Sequence, residues 1–125
     1  MQKHVLVVEN ERDMQDVLRA ILELTDCRVS VAGDGLAALD MIEQEGAPDL
    51  IFLDLLMPKM DGVTFVQELQ KREIYDGIPV IVLSGDHRVR EHVSSMGMDV
   101  FIGKPFSVDE VLSVVDALSR ESQAV

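Results

Sequence analysis

Cysteine is nearly absent: the 125 residues contain only Cys27, so no internal disulfide can form. Long apolar runs are missing too. No stretch approaches the length of a membrane span, and the opening MQKHVLVVENER lacks the apolar core of a secretory leader. Both absences set the expectation of a cytoplasmic protein. Basic residues are scarce, 11 against 23 acidic ones, for a net charge of −12. Such a field repels nucleic acid and anionic membrane, so direct binding to either is not expected. No G-x-G-x-x-G occurs, which leaves a dinucleotide site unsupported. The run from Gly97 to Gly103-Lys104 is no phosphate-binding P-loop, because its spacing is one residue too long and Pro105 replaces the required hydroxyl. Linkers, repeats and low-complexity segments are also missing, and the length suits one domain over 1–122 with a frayed 123–125.

What is present alternates. Val5–Val8 is an apolar run that needs burial on both sides. Met14, Val17, Leu18, Ile21 and Leu22 then repeat at helical spacing over roughly 12–25. Arg28–Val31 reads as a short strand near a sheet edge, and Asp34-Gly35 as a turn into a helix that carries Ala38, Met41 and Ile42 and ends near Gly46. Leu50–Leu53 is the third strand; Phe65, Val66 and Leu69 mark the third helix, and Ile78–Leu83 the fourth strand. Val89, Val93 and Met96 mark a fourth helix, and Asp99–Ile102 the last strand. Ser107 and Glu110 have the spacing of a capping box ahead of a helix with Val111, Leu112, Val115 and Leu118 on one face. Five strands alternating with five helices predict an α/β fold, a doubly wound (βα)5 parallel sheet with helices on both faces. Such sheets bind ligands beyond the carboxyl ends of their strands.

Chemistry-bearing residues stand at those ends. Glu9, Asn10 and Glu11 follow the first strand, Asp54 the third, Ser84-Gly85 the fourth, and Gly103-Lys104-Pro105-Phe106 the fifth. A carboxylate at the lip of a buried strand needs a reason. Clustered carboxyl and amide oxygens suit a hard divalent cation, and Mg²⁺ takes one or two carboxylates and leaves its other positions to water and phosphate. A carboxylate beside that cation, with an amine near, can attack a phosphoryl group.

VVENE, D-x-x-M-P-x-x-D-G, LSG and GKPF, in that order, resemble the receiver domain of bacterial two-component response regulators, in the stand-alone form of the chemotaxis receiver. The likeness covers essentially the whole chain. It implies a flavodoxin-like sheet of strand order 2-1-3-4-5 and a phosphoacceptor switch. Asp54 would take the phosphoryl group, Lys104 would pair with it, and Ser84 would hydrogen-bond it. Glu9, Asn10, Asp54 and the backbone carbonyl of Leu56 would hold Mg²⁺. Phe101 falls on the family's aromatic switch position, with plain core as the other reading, and the Lys104–Pro105 bond is expected to be cis. Implied partners are a histidine kinase or a histidine phosphotransfer protein, a downstream effector, and a second copy through the face of the fourth helix, fifth strand and last helix. Phosphorylation and dephosphorylation would be self-catalysed, though the domain is not a conventional enzyme.

Asn10 departs from the family, which has two aspartates after the first strand. Glu9 and Asp54 against Lys104 leave one net negative charge where the usual set leaves two. Weaker Mg²⁺ binding is the expectation. Asn10 serves equally well as a cap for the first helix. Two rival functions follow: a degenerate receiver that acts as a phosphorylation-independent interaction module, and a metal-dependent phosphatase. The phosphatase usually needs a second Asp two residues after its nucleophile, where Leu56 stands. Asp61-Gly62 reads as a helix entry. His87, Arg88, Arg90 and His92 read as solvated, with a partner surface as the sharper alternative, and the methionines as core filler.

Overall fold

The computed structural model describes residues 3–55, 62–72, 78–85 and 100–123. Five parallel strands form one sheet: β1 (Lys3–Val8), β2 (Cys27–Ala32), β3 (Leu50–Asp54), β4 (Val80–Ser84) and β5 (Val100–Gly103), in the order β2-β1-β3-β4-β5. Between them run α1 (Arg12–Leu22), α2 (Gly35–Glu45), α3 (Gly62–Gln70) and a C-terminal helix (Val108–Gln123). The helix expected around Val89, Val93 and Met96 lies outside the described residues, as do Met57, Pro58, Asp61, His87, Arg88, Arg90, His92 and Asp99.

Strand alternation sorts the core into two layers. On one face Leu6, Val8, Ile51, Leu53, Val80 and Val82 meet α2 and α3 through Ala38, Leu39, Ile42, Phe65, Val66 and Leu69. On the other, Val5, Val7, Leu50, Phe52, Ile81 and Leu83 meet α1 and the C-terminal helix through Leu18, Ile21, Leu22, Val111 and Val115. Central strands covered on both sides read as unbroken apolar runs for that reason. Edge strand β2 shows the weaker pattern, with Arg28 exposed and Val29 to Val31 only half-buried.

Element ends differ from the sequence reading in instructive ways. The strand with Ile78 begins only at Val80, because Pro79 has no N–H for the ladder, although its carbonyl accepts from Ile51 N–H at 3.0 Å. Helix α1 stops at Leu22, short of residue 25. The Leu22 carbonyl takes up Thr25 N–H at 3.0 Å, Thr25 Oγ1 at 2.7 Å and Cys27 Sγ at 3.0 Å, which closes the helix end. Val17, placed by periodicity on the apolar face, is 47% exposed. Asp34 is more than a turn residue: its Oδ1 caps α2 by accepting Ala37 N–H at 2.8 Å. Gly46 closes α2 at φ 94°, a conformation that excludes most side chains. The expected capping box is present, with Ser107 N–H donating to Glu110 Oε1 and Glu110 N–H to Ser107 Oγ, both at 3.1 Å. Among the described residues, no helix is long and apolar enough to cross a membrane.

Candidate phosphoacceptor site at the strand ends

Sheet register assembles the site. Val8 pairs with Leu53, Asp54 with Leu83, and Ser84 with Gly103. One step past those pairs, Glu9 comes abreast of Asp54, and Lys104 abreast of the end of β4. Asp54, Ser84 and Gly103 are the last residues of their strands rather than the first beyond them, since the ladder continues through them. Lys104 N–H donates to the Ser84 carbonyl at 2.8 Å, tying the two strand ends together, and the Lys104–Pro105 bond is cis.

Side chains converge as the strand ends do. Glu9, Asp54 and Ser84 are all buried, Glu9 completely. Lys104 Nζ lies 3.3 Å from Glu9 Oε1 and 3.6 Å from Asp54 Oδ2, so one ammonium serves two carboxyl groups. The direct contact between Glu9 and Lys104, 95 residues apart, is a partnership that sequence reasoning missed. A glutamate's extra methylene gives it that reach. Burial first, and then the neighbouring Asp54 carboxylate, push the Glu9 carboxyl up to about 8, against the opposite pull of Lys104. Burial thus favours a proton on Glu9 in the metal-free pocket.

Glu9 Oε2 is buried and, among the described residues, has no hydrogen-bond partner. An orphaned carboxyl oxygen beside a second carboxylate is a costly arrangement unless something fills it. Among the described residues no three His, Cys, Asp or Glu side chains gather. Two carboxylates do, and Mg²⁺ asks for no more than that when water and phosphate complete its shell. The donor set fits that ion.

The remaining predicted residues divide. Asn10 is exposed beside the buried trio, and it does not cap α1: Glu11 holds the N-cap position, with no capping bond from its side chain. Glu11 faces solvent. Phe101 is half-buried on β5 and packs against the layer shared with α2 and α3. Leu56 lies outside the described residues. A second polar cluster, at the opposite ends of the strands, gave no sequence signal. There His4 N–H donates to Asp49 Oδ2, the His4 carbonyl accepts Asp49 N–H, and His4 Nε2 meets Ser30 Oγ, each at 2.8 Å. Burial, assisted by the Arg28 charge, lowers the His4 pKa.

The chain is similar to known proteins in sequence and in fold. The family model described as "Response regulator receiver domain" matches residues 5–116. The response regulator MprA of Mycobacterium bovis (strain BCG / Pasteur 1173P2) is 35% identical over 125 residues, covering 98% of this chain and 53% of that protein. The chain thus spans about half the length of the curated relatives it matches. Among solved structures, the signal receiver domain of a signal transduction histidine kinase from Syntrophus aciditrophicus is 30% identical at a TM-score of 0.88, with 98% of this chain and 94% of that one covered. A putative response regulator from Chloroflexus aurantiacus, 23% identical at a TM-score of 0.87 over 94% of this chain and 98% of that one, shares the fold.

Proposed function

The chain belongs to the response regulator receiver domain family, and on that premise we propose that it is a phosphorylation switch with Asp54 as phosphoacceptor. One observation supports this reading above the others: Lys104 Nζ stands within 3.6 Å of the buried Asp54 carboxylate, at the carboxyl edge of the sheet. An Asp54 oxygen forms a bond to phosphorus as the bond from phosphorus to a donor histidine nitrogen breaks, and the imidazole leaves with the electron pair. Lys104 pairs with the transferring oxygens, and the Ser84 hydroxyl donates to one of them. Glu9, Asn10, Asp54 and the Leu56 carbonyl would hold Mg²⁺, which when bound supplies charge neutralisation for the phosphoryl oxygens.

The acyl phosphate puts about −1.5 to −2 charges where the Asp54 carboxylate carried one. Lys104, shared until then with Glu9, turns to the stronger anion. Ser84 moves toward the phosphoryl group, Phe101 follows, and the face of β5 and the C-terminal helix changes shape for its reader. Such a switch biases two states that already coexist. A histidine kinase or histidine phosphotransfer protein supplies the phosphoryl group in the cytoplasm, and an effector protein or a second copy reads the altered face. Water attack on phosphorus later restores the carboxylate.

Intact mass after incubation with acetyl phosphate and Mg²⁺ tests the proposal. One phosphoryl adduct on the wild type, and none on Asp54→Asn, is the expected pair of results. An unmodified wild type would favour a phosphorylation-independent interaction module, the alternative to which the neutral, exposed Asn10 points.

A further inference from the structure

Glu9 is held at three points by three parts of the fold. Its N–H donates to the Ala32 carbonyl of β2 at 3.0 Å, and its side chain meets Lys104 beyond β5 at 3.3 Å. Its carbonyl accepts a hydrogen bond from the side-chain amide of Gln15, one turn into α1. Gln15 is half-buried and stands in register within the helix, its own N–H donating to Glu11 carbonyl at 3.0 Å. Glu11, at the N-cap, makes no side-chain capping bond to the start of α1. Across the turn between β1 and α1, the Gln15 amide is the side-chain tie to the backbone.

That tie acts on two side chains at once. The peptide joining Glu9 to Asn10 is a rigid plane, so a bond to the Glu9 carbonyl sets the direction in which Asn10 leaves the strand. We propose that Gln15 is a positioning residue for the phosphoacceptor pocket, fixing the Glu9–Asn10 peptide so that both side chains sit at the cation position. This rests on the Asp54 reading above. Orientation counts for more here than in a pocket with two aspartates, because a neutral amide attracts a cation only when its oxygen is already aimed.

Gln15→Met removes the donor at similar size and tests the assignment. Leu18→Val, which loosens α1 packing without touching Glu9, serves as the comparison. In metal-free protein, ¹⁵N relaxation should show lower backbone order at Asn10 and Glu11 in Gln15→Met only. Its Mg²⁺ affinity, by NMR titration, should fall roughly tenfold, the low end of what outer partners of metal ligands contribute. Unchanged order at Asn10 and Glu11, or an equal affinity loss in Leu18→Val, would overturn the proposal. Should the wild type take up neither Mg²⁺ nor a phosphoryl group, the Asp54 reading fails, while the order parameters still decide whether Gln15 holds the turn.

Discussion

The two ends of the sheet handle buried polarity in opposite ways. At the amino end, His4, Ser30 and Asp49 satisfy one another through three 2.8 Å hydrogen bonds. At the carboxyl end, Glu9 is completely buried with one oxygen orphaned, and a single ammonium is divided between two acids. A closed knot of hydrogen bonds fastens β1 to β2 and to the entry of β3. A buried carboxyl oxygen left without a partner costs stability, and perturbed groups of that kind cluster at functional sites. Burial alone does not separate the two ends; satisfaction does.

The largest effect should come from changing the buried Glu9 carboxyl. The Glu9 carboxyl rises from 4.5 in the unfolded chain to about 8 in the fold, so the metal-free fold binds the extra proton between those values. The stability this gives is complete below pH 4.5 and is lost as pH rises through about 8. Urea unfolding of metal-free protein at pH 6 and pH 9 should show a decline on the order of a few kcal/mol. Glu9→Gln should remove most of it. An unchanged slope in that variant would assign the pH dependence elsewhere.

Next in size, Asn10→Asp adds a second full charge to the turn after β1. Because the position is exposed, the gain in Mg²⁺ affinity is screened to roughly tenfold. Equal affinities by calorimetric titration would show that residue 10 lies off the ion's shell.

At the closed end, Ser30→Ala leaves the His4 ring without its partner and should cost about 1 kcal/mol in denaturant midpoint analysis. The same knot has an acid signature. His4 titrates below 6.5, so its contribution is present above that value and is lost as pH falls below it, opposite in sign to Glu9. The smallest change belongs to the solvent-exposed Arg28–Glu45 pair at 3.8 Å. Glu45→Gln should stay within about 0.5 kcal/mol of wild type. A substantial loss there would mean that the amino end depends on surface charge.

Much of the strand-end site could be read from residue types. Asp54 and Ser84 end apolar runs continuous enough for buried parallel strands, Lys104 follows the shorter run of β5, and each carries chemistry a core strand has no use for. Val17 and Asn10 show where local pattern misled. Helical spacing put Val17 on the covered face, yet the width of that face depends on how α1 lies on the sheet. A short polar residue before a helix suggested a cap at Asn10, yet the turn places Glu11 in that position.

By itself, the sequence determined the alternation of strands and helices, the apolar layers, and which end of the sheet holds reactive groups. Period and burial need only neighbours along the chain, so they are written locally. Tertiary structure decided which oxygens share Lys104, that burial raises the Glu9 pKa, and that His4 closes on residues 26 and 45 positions away. Those outcomes depend on desolvation and on angstrom distances between remote segments, quantities that exist only once the register of the sheet has brought the segments together.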